Sequence, residues 1–155
     1  MPGIKIGTGQ TEIKLDLFFD LQCSYSKKAW DVVGHSVENS WADQLNIYFH
    51  PICLSHHRQS WDLTRALFAV KSLDASEAVE FIERVYSDHG QFYNAQWKSK
   101  TQDEFLSHLA SITGKCANVS EKDFIGTIES DEVYANSKGS IHYAAVKQVW
   151  STPSV

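Results

Sequence analysis

The segment that decides the fold runs from Asp16 to Ser26 and reads Asp-Leu-Phe-Phe-Asp-Leu-Gln-Cys-Ser-Tyr-Ser. Residues 12–20 alternate apolar and polar side chains before becoming fully apolar, which is typical of a strand that enters a buried sheet and ends at Asp20. From Tyr25, apolar residues recur at helical spacing up to about Ala42 and predict an amphipathic helix. Cys23 is therefore expected between the end of a buried strand and the first turn of a helix.

A cysteine at this position has a physical reason to be reactive. The unpaired N–H groups and the positive end of the helix dipole stabilise an anion there, which favours reaction as the thiolate. Lys27 and Lys28 add positive charge nearby. The alternative is that Cys23 is a small apolar residue that closes a turn, because free cysteine is among the most buried residue types.

The next segment completes a strand, helix, strand unit. Residues 45–54 are rich in β-branched and aromatic side chains, and Pro51 must lie at an edge or at the end of the predicted strand. Two strands joined by one crossover helix are expected to be parallel, with a right-handed connection. The C-terminal ends of both strands then lie at the same edge of the sheet.

The chain after Ser55 has helical patterns for nearly a hundred residues. Helix start signals are found at Ser60, at a candidate cap Ser76, at the capping box of Thr101 and Glu104, and at Ser120. The helix after Thr101 is expected to end at Gly114, and a final helix or pair of helices covers residues 131–149. Trp61, Trp97 and Trp150 have no motif around them and are expected to be packing residues.

The composition excludes several classes of protein. The chain has 155 residues, which suits one globular domain, and its 14 Lys and Arg against 19 Asp and Glu argue against nucleic acid as a partner. No apolar run approaches the roughly 20 residues of a membrane span, and no signal peptide is visible, so a soluble protein is expected. Three widely spaced cysteines do not resemble a disulfide framework and favour a reducing compartment, cytoplasm or organelle matrix.

The order of these motifs resembles the DsbA-like branch of the thioredoxin superfamily. The resemblance is carried by the strand ending Phe-Phe-Asp20, by Cys23-Ser-Tyr-Ser26 at a helix start, by the long helical insertion and by Thr152-Pro153. It implies an α/β thioredoxin-like fold in one domain, residues 1–155. The thioredoxin part would be residues 1–55 and about 130–155, with the helical insertion at about 56–129. It also implies a cis bond before Pro153.

Ser26 is a departure from the family, which has a second cysteine at this position. A dithiol cycle within the motif is impossible, but a lone Cys23 thiolate could attack a protein disulfide or glutathione, with an outside thiol releasing the mixed disulfide. Kappa-class glutathione transferases and hydroxychromene carboxylate isomerases use a serine near this helix start to orient glutathione. Ser26 is accordingly a candidate hydrogen-bond donor to the thiolate, the alternative being a simple helix cap.

The C-terminus is a second departure. The sequence ends two residues past Pro153, where the family continues with an antiparallel hairpin and a helix. The two predicted strands would leave an exposed sheet edge, which predicts a partner strand unless the sequence is a piece of a longer chain. By resemblance, the backbone of Thr152 pairs with an extended substrate, so that Thr152, Pro153 and Tyr25 are the candidate substrate-binding residues.

Residues near the end of the second strand supply further candidates. Cys53 is expected at the same sheet edge as Cys23 and could act as a resolving thiol, the alternative being a buried cysteine without chemistry. His56 or His57 could contact Cys23 or its ligand and tune thiolate formation. His50, Cys53, His56 and His57 lack the spacing of a preorganised metal site, so neither a metal nor a cofactor other than glutathione is expected. Cys116 is expected in a loop between helices as a spare thiol.

These observations predict a monothiol protein of the thiol-disulfide oxidoreductase type with Cys23 as nucleophile. Two other functions stay open. The missing second cysteine also suits a catalytically inactive thioredoxin-fold scaffold or subunit of an assembly. A serine at position 26 also suits a glutathione-transferase-like enzyme of the kappa or isomerase type.

Overall fold

The computed structural model describes residues 3–6, 9, 11–36, 44–116 and 119–155. Its sheet contains β1 (Ile4–Lys5), β2 (Lys14–Phe19) and β3 (Asn46–Pro51), in the order β1, β3, β2. β2 and β3 are parallel, with Leu17 opposite Phe49, whereas β1 is antiparallel to β3. The two strands predicted from apolar patterns are confirmed, and Pro51 is the last residue of β3. The expectation of only two strands is wrong, because the two-residue strand β1 is too short to show any periodicity.

The first helix, α1 (Ser24–Ser36), connects the two parallel strands. Its Trp30 is buried, and the indole ring lies edge-on to the rings of Phe19 and Phe49 at centroid distances of 6.5 and 5.6 Å. These aromatic contacts fix α1 across the sheet, so that its N-terminus lies at the C-terminal end of β2. The predicted continuation of the helix to Ala42 lies outside the described residues.

Five further helices follow β3 in the described part of the chain: α2 (Ser60–Leu73), α3 (Ala78–Ser87), α4 (Gln102–Cys116), α5 (Glu121–Ile128) and α6 (Asp131–Val146). Most of their buried side chains share one apolar core with Phe19, Phe49 and Trp30. α6 packs on β3, where the Ser140 hydroxyl donates a hydrogen bond of 2.8 Å to the carbonyl of Pro51. The helices therefore cover the sheet and leave its C-terminal edge for the site.

The helix boundaries confirm some sequence signals and correct others. Thr101 and Glu104 form the reciprocal hydrogen bonds of a capping box, and the Ser120 hydroxyl accepts a hydrogen bond from the N–H of Asp123. Ser76 is not a cap, because it lies inside a short 3-10 turn that Asp74 caps instead.

The predicted end of α4 is also wrong. The helix continues through Gly114 to Cys116, which therefore ends a helix and does not lie in a loop. A glycine ends a helix where the backbone turns left-handed, and no described glycine has a positive φ.

The chain after α6 returns to the sheet. The N–H and C=O of Phe18 in β2 form two hydrogen bonds with the backbone of Ser154, of 2.8 and 3.0 Å, in an antiparallel bridge. The Thr152–Pro153 peptide bond just before this bridge is cis, as the resemblance implied. No helix among the described residues has the length and apolarity that a membrane span requires.

Candidate functional site

Cys23 lies at the start of α1, where β2 has just ended. Its N–H donates to the carbonyl of Asp20 and its own carbonyl accepts the first helical hydrogen bond, from the N–H of Lys27, both at 3.0 Å. Cys23 therefore holds the N-cap position, next to the unpaired N–H groups of the first turn. The first turn of α1 contains no acidic residue, so no side chain of that turn opposes a negative charge on the sulfur.

A cavity of about 450 Å³ gives access to this cysteine. Its walls are Cys23, Ser24, Tyr25, Leu54, His56, His57, Trp150, Ser151 and Thr152. The cysteine itself is only 4% exposed, and its Sγ lies 3.8 Å from the carbonyl oxygen of Thr152, to which the thiol donates a hydrogen bond. The structure thus brings together Cys23, Tyr25, His57 and Thr152 from three separate parts of the sequence.

Two aromatic side chains of the cavity wall are largely exposed. Trp150 is 80% exposed and Tyr25 is 67% exposed. The expectation that Trp150 is a packing residue is therefore wrong, because the chain leaves the α6 surface before this residue and turns towards β2. Exposed aromatic rings beside a cavity are features of binding surfaces.

Thr152 retains unused hydrogen-bonding groups beside the cysteine. Its Oγ1 is buried, and neither this atom nor the backbone N–H has a hydrogen-bond partner within the described part of the chain. A buried polar group without a partner is costly, so a ligand that pairs with Thr152 gains that energy on binding.

Ser26 is fully buried in the first turn of α1, three residues after the cysteine. Its Oγ accepts a hydrogen bond of 3.2 Å from the N–H of Asp20 and is also bonded to the hydroxyl of Tyr86. The structure contains no hydrogen bond between Ser26 and Cys23, although both residues are described. The Ser26 side chain ties the first turn of α1 to the end of β2, and the N-cap position belongs to Cys23.

Tyr86, on α3, contacts the segment that leads from β2 to Cys23. Its hydroxyl donates to the carbonyl of Asp20 at 3.3 Å. Burial raises the pKa of Tyr86 well above its ordinary value, and the charges of Asp20 and Cys23 raise it further, against the opposing hydrogen bond from Ser26. Tyr86 is therefore a neutral hydrogen-bond donor at any physiological pH.

Asp20 is a fully buried carboxylate with four hydrogen-bond donors. Oδ1 accepts from the N–H of Gln22 at 2.8 Å and from the hydroxyl of Ser60 at 2.5 Å. Oδ2 accepts from the N–H of Leu54 at 2.8 Å and from Nδ1 of His57 at 2.9 Å. Such convergence of donors is how a buried charge is compensated. The sequence does not reveal this role of Asp20, because three of its four partners, Leu54, His57 and Ser60, lie 34 to 40 residues further along the chain.

The loop that carries His57 is held to the residue before the cysteine. The Gln22 side chain accepts a hydrogen bond from the N–H of Gln59 and donates to the side chains of Gln59 and Asn94. Asn94 in turn bonds the backbone of His56 and Arg58. These five residues form a polar clamp that sets the distance between the start of α1 and the His57 loop.

A resolving thiol must reach the Cys23 sulfur, but Cys53 lines a different cavity. Its Sγ lies 3.6 Å from the hydroxyl of Thr64, and it lines a neighbouring cavity of about 360 Å³ whose walls do not include Cys23. Burial raises the pKa of Cys53 from 9.0 to about 12, against a smaller lowering by Thr64. A thiol with such a pKa contains almost no thiolate at neutral pH, which disfavours the resolving role.

The other histidines that the structure describes do not form a metal centre. His50 is fully buried, bonds to Asp16 at 2.8 Å and stacks on Phe18, while the ring of His56 lies beside that of His57. Among the described residues, no group of three or more His, Cys, Asp or Glu side chains is arranged to hold a metal ion. The side chain of Cys116 is not described.

Comparison of the whole structure with solved proteins identifies the fold. A candidate protein-disulfide isomerase from Pseudomonas syringae superposes with a TM-score of 0.79 at 15% identity, covering 97% of this chain and 83% of that chain. BdbD from Bacillus subtilis, in its oxidised form, superposes with a TM-score of 0.79 at 12% identity, and the match covers 98% of this chain and 79% of BdbD. The thiol-disulfide exchange protein alpha-DsbA2 from Wolbachia pipientis gives a TM-score of 0.73 at 18% identity, and the match covers 99% of this chain and 74% of that protein.

Sequence comparison adds nothing to this result, because neither a protein-family model nor a curated protein sequence matches the chain. The structural likeness extends over almost the whole chain and confirms the predicted α/β architecture. The chain has a DsbA-like thioredoxin fold with a helical insertion.

Proposed function

We propose that this chain, with its DsbA-like thioredoxin fold, catalyses thiol-disulfide exchange through one nucleophilic cysteine, Cys23. The observation that carries the proposal is the position of the Cys23 sulfur at the N-cap of α1, 3.8 Å from the carbonyl of Thr152 and in the wall of an open cavity. The substrates are a protein disulfide or the disulfide of glutathione. A comparison structure is described as a thiol-disulfide exchange protein, which is consistent with this chemistry.

The first chemical step is attack by the Cys23 thiolate on a substrate disulfide. The helix N-terminus and the absence of acidic side chains in its first turn favour the thiolate. A new disulfide forms between Cys23 and one substrate sulfur, the substrate disulfide breaks, and the other sulfur leaves as a thiol.

The second step requires a thiol from outside the motif. Ser26 replaces the second motif cysteine, and the pKa of about 12 makes Cys53 a poor substitute. An external thiol such as glutathione therefore attacks the mixed disulfide and releases Cys23. In this scheme Ser26 is a positioning residue, which holds α1 through its hydrogen bond from the N–H of Asp20.

Substrate binding is assigned to the loop before the cis-proline and to the exposed aromatic residues. The backbone N–H of Thr152 is unpaired in the described structure, and Pro153 fixes the turn next to it. An extended peptide placed along this loop pairs with Thr152 as a strand pairs with an edge. Tyr25 and Trp150 supply apolar contact area at the sides of the cavity.

The experiment that tests the proposal is trapping of the mixed disulfide. The reduced protein is mixed with glutathione disulfide, quenched with acid at short times, and mapped by peptide mass spectrometry. We expect glutathione first on Cys23, and loss of this product in Cys23→Ser but not in the matched variant Cys53→Ser. Absence of any Cys23 adduct, with the fold intact by circular dichroism, would refute the enzymatic proposal and favour a scaffold.

A further inference from the structure

We infer that Asp20 and His57 form a proton-transfer pair, in which His57 is the general base for the external thiol that releases Cys23. This inference rests on the proposed function and specifies how the second step proceeds without a second motif cysteine. It assigns a catalytic role to a histidine that lies 34 residues after the nucleophile in the sequence.

Asp20 fixes the tautomer of His57. An ionised carboxylate can only accept hydrogen bonds, and each oxygen of Asp20 already accepts one from a backbone N–H, that of Gln22 or that of Leu54. Nδ1 of His57 must therefore carry a proton, which it donates to Oδ2 of Asp20 at 2.9 Å. In the neutral imidazole the proton acceptor is then Nε2.

The Nε2 atom is available to a ligand. The His57 side chain is 17% exposed and lies in the same cavity wall as Cys23, whereas its partner Asp20 is fully buried. Within the described part of the chain Nε2 has no hydrogen-bond partner, and it is not among the buried unpaired atoms. The imidazole thus has one nitrogen anchored in the interior and the other accessible from the cavity.

The loop around His57 is held at several points, which limits reorientation of the ring. The N–H of His57 donates to the carbonyl of Leu54 at 3.0 Å, and the N–H of Leu54 donates to Asp20. The polar clamp holds the residues on both sides of His57, because Asn94 bonds the backbone of His56 and of Arg58. A base held in this way needs little reorganisation to accept a proton.

The exchange balances without any further reactant. His57 Nε2 accepts the proton of the incoming thiol, whose sulfur attacks the substrate sulfur of the mixed disulfide. The bond between that sulfur and Cys23 breaks, and Cys23 leaves as the thiolate while the proton of the incoming thiol stays on the His57 imidazolium. The incoming thiol ends in a disulfide with the substrate sulfur, and Cys23 is reduced. In the first step the same imidazolium protonates the leaving sulfur.

The need for a base follows from the chemistry of the thiol. An aliphatic thiol such as glutathione is mostly protonated at neutral pH, and the protonated form is not a nucleophile. An aromatic thiol is largely ionised at the same pH and needs no base. His57 is therefore expected to accelerate release by an aliphatic thiol and not release by an aromatic thiol.

The test measures release of glutathione from a preformed Cys23 adduct at one neutral pH. The variant is His57→Asn, because the asparagine amide can replace Nδ1 as donor to Asp20 while Nε2 is removed. The matched control is His142→Asn, which removes an exposed histidine of α6. A second variant, His57→Gln, and urea unfolding curves show whether any effect comes from loss of folding.

We expect His57→Asn to slow release by glutathione by about tenfold or more, within the range of general base catalysis, and to change release by an ionised aromatic thiol by less than about twofold. Equal slowing with both thiols would indicate a structural role and overturn the inference. Unchanged release with both thiols would overturn it as well. If no Cys23 adduct forms in the wild type, the proposed function fails. If the adduct forms and His57→Asn releases it at the normal rate, only the role of His57 as general base is refuted.

Discussion

Replacement of Asp20 by asparagine tests the part of the structure that holds the site together. Asp20 joins the end of β2 to Leu54, His57 and Ser60 through its carboxylate. Asparagine has almost the same shape but replaces one acceptor oxygen by an NH₂ group. Whichever oxygen is replaced, a backbone N–H that now donates to the carboxylate faces a donor instead.

The magnitude follows from these four hydrogen bonds. One buried backbone N–H, that of Gln22 or of Leu54, loses its acceptor, which costs roughly 1–3 kcal/mol. The remaining bonds change from charge-assisted to neutral bonds, at about 1 kcal/mol each, while removal of a buried charge offsets part of the loss. We expect Asp20→Asn to lower the free energy of unfolding by about 2–4 kcal/mol.

The assay is urea unfolding followed by tryptophan fluorescence, to which the buried Trp30 contributes. With an ordinary dependence on urea of about 1–3 kcal/mol per molar, the midpoint is expected to fall by roughly 1–3 M. The control is Asp31→Asn, which removes an exposed ion pair with Lys27 and is expected to change stability by less than about 1 kcal/mol. An Asp20→Asn midpoint equal to that of the control would refute the reasoning.

Three further predictions concern other parts of the chain. Because burial raises the pKa of Cys53 to about 12, Cys53 is expected to resist iodoacetamide near pH 8 until urea unfolds the protein, as read by peptide mass spectrometry. Burial alone would raise the pKa of Asp16, but hydrogen bonds from Lys14, His50 and Tyr143 lower it below 3.8, so its contribution to stability is complete above that pH and lost below it. The wild type should therefore exceed Asp16→Asn in stability at neutral pH and lose this advantage progressively as the pH falls below 3.8 in urea unfolding. Phe81→Ala, at a fully buried position of α3, is expected to cost about 3–5 kcal/mol in the same assay, and a cost below about 1 kcal/mol would contradict the packing described.

The parts of the fold that the sequence predicts are those with local signals. The apolar run before Asp20, the helical spacing after Tyr25 and the capping box of Thr101 each depend on neighbours within a few residues. The cis bond at Pro153 has no local signal of this kind, and only the resemblance of the whole motif order implied it.

The parts of the site that the sequence did not predict depend on contacts between distant residues. Asp20 and His57 are 37 residues apart, and Gln22 and Asn94 are 72 apart, so no periodicity joins them. The sequence predicts the Ser26 hydroxyl at the cysteine sulfur, but in the structure this hydroxyl accepts a hydrogen bond from the N–H of Asp20. A single sequence specifies which polar residues must find partners, and packing decides which partners they find.

The most direct test of the central claim is site-resolved alkylation of the cysteines in the folded, reduced protein at neutral pH. We expect Cys23 to react faster than Cys53 and faster than the same residue in the urea-unfolded chain. Of the two cysteines whose side chains the structure describes, only Cys23 combines a helix N-terminus with an open cavity. A folded-state rate for Cys23 at or below its unfolded-state rate would contradict the claim that this cysteine is the nucleophile.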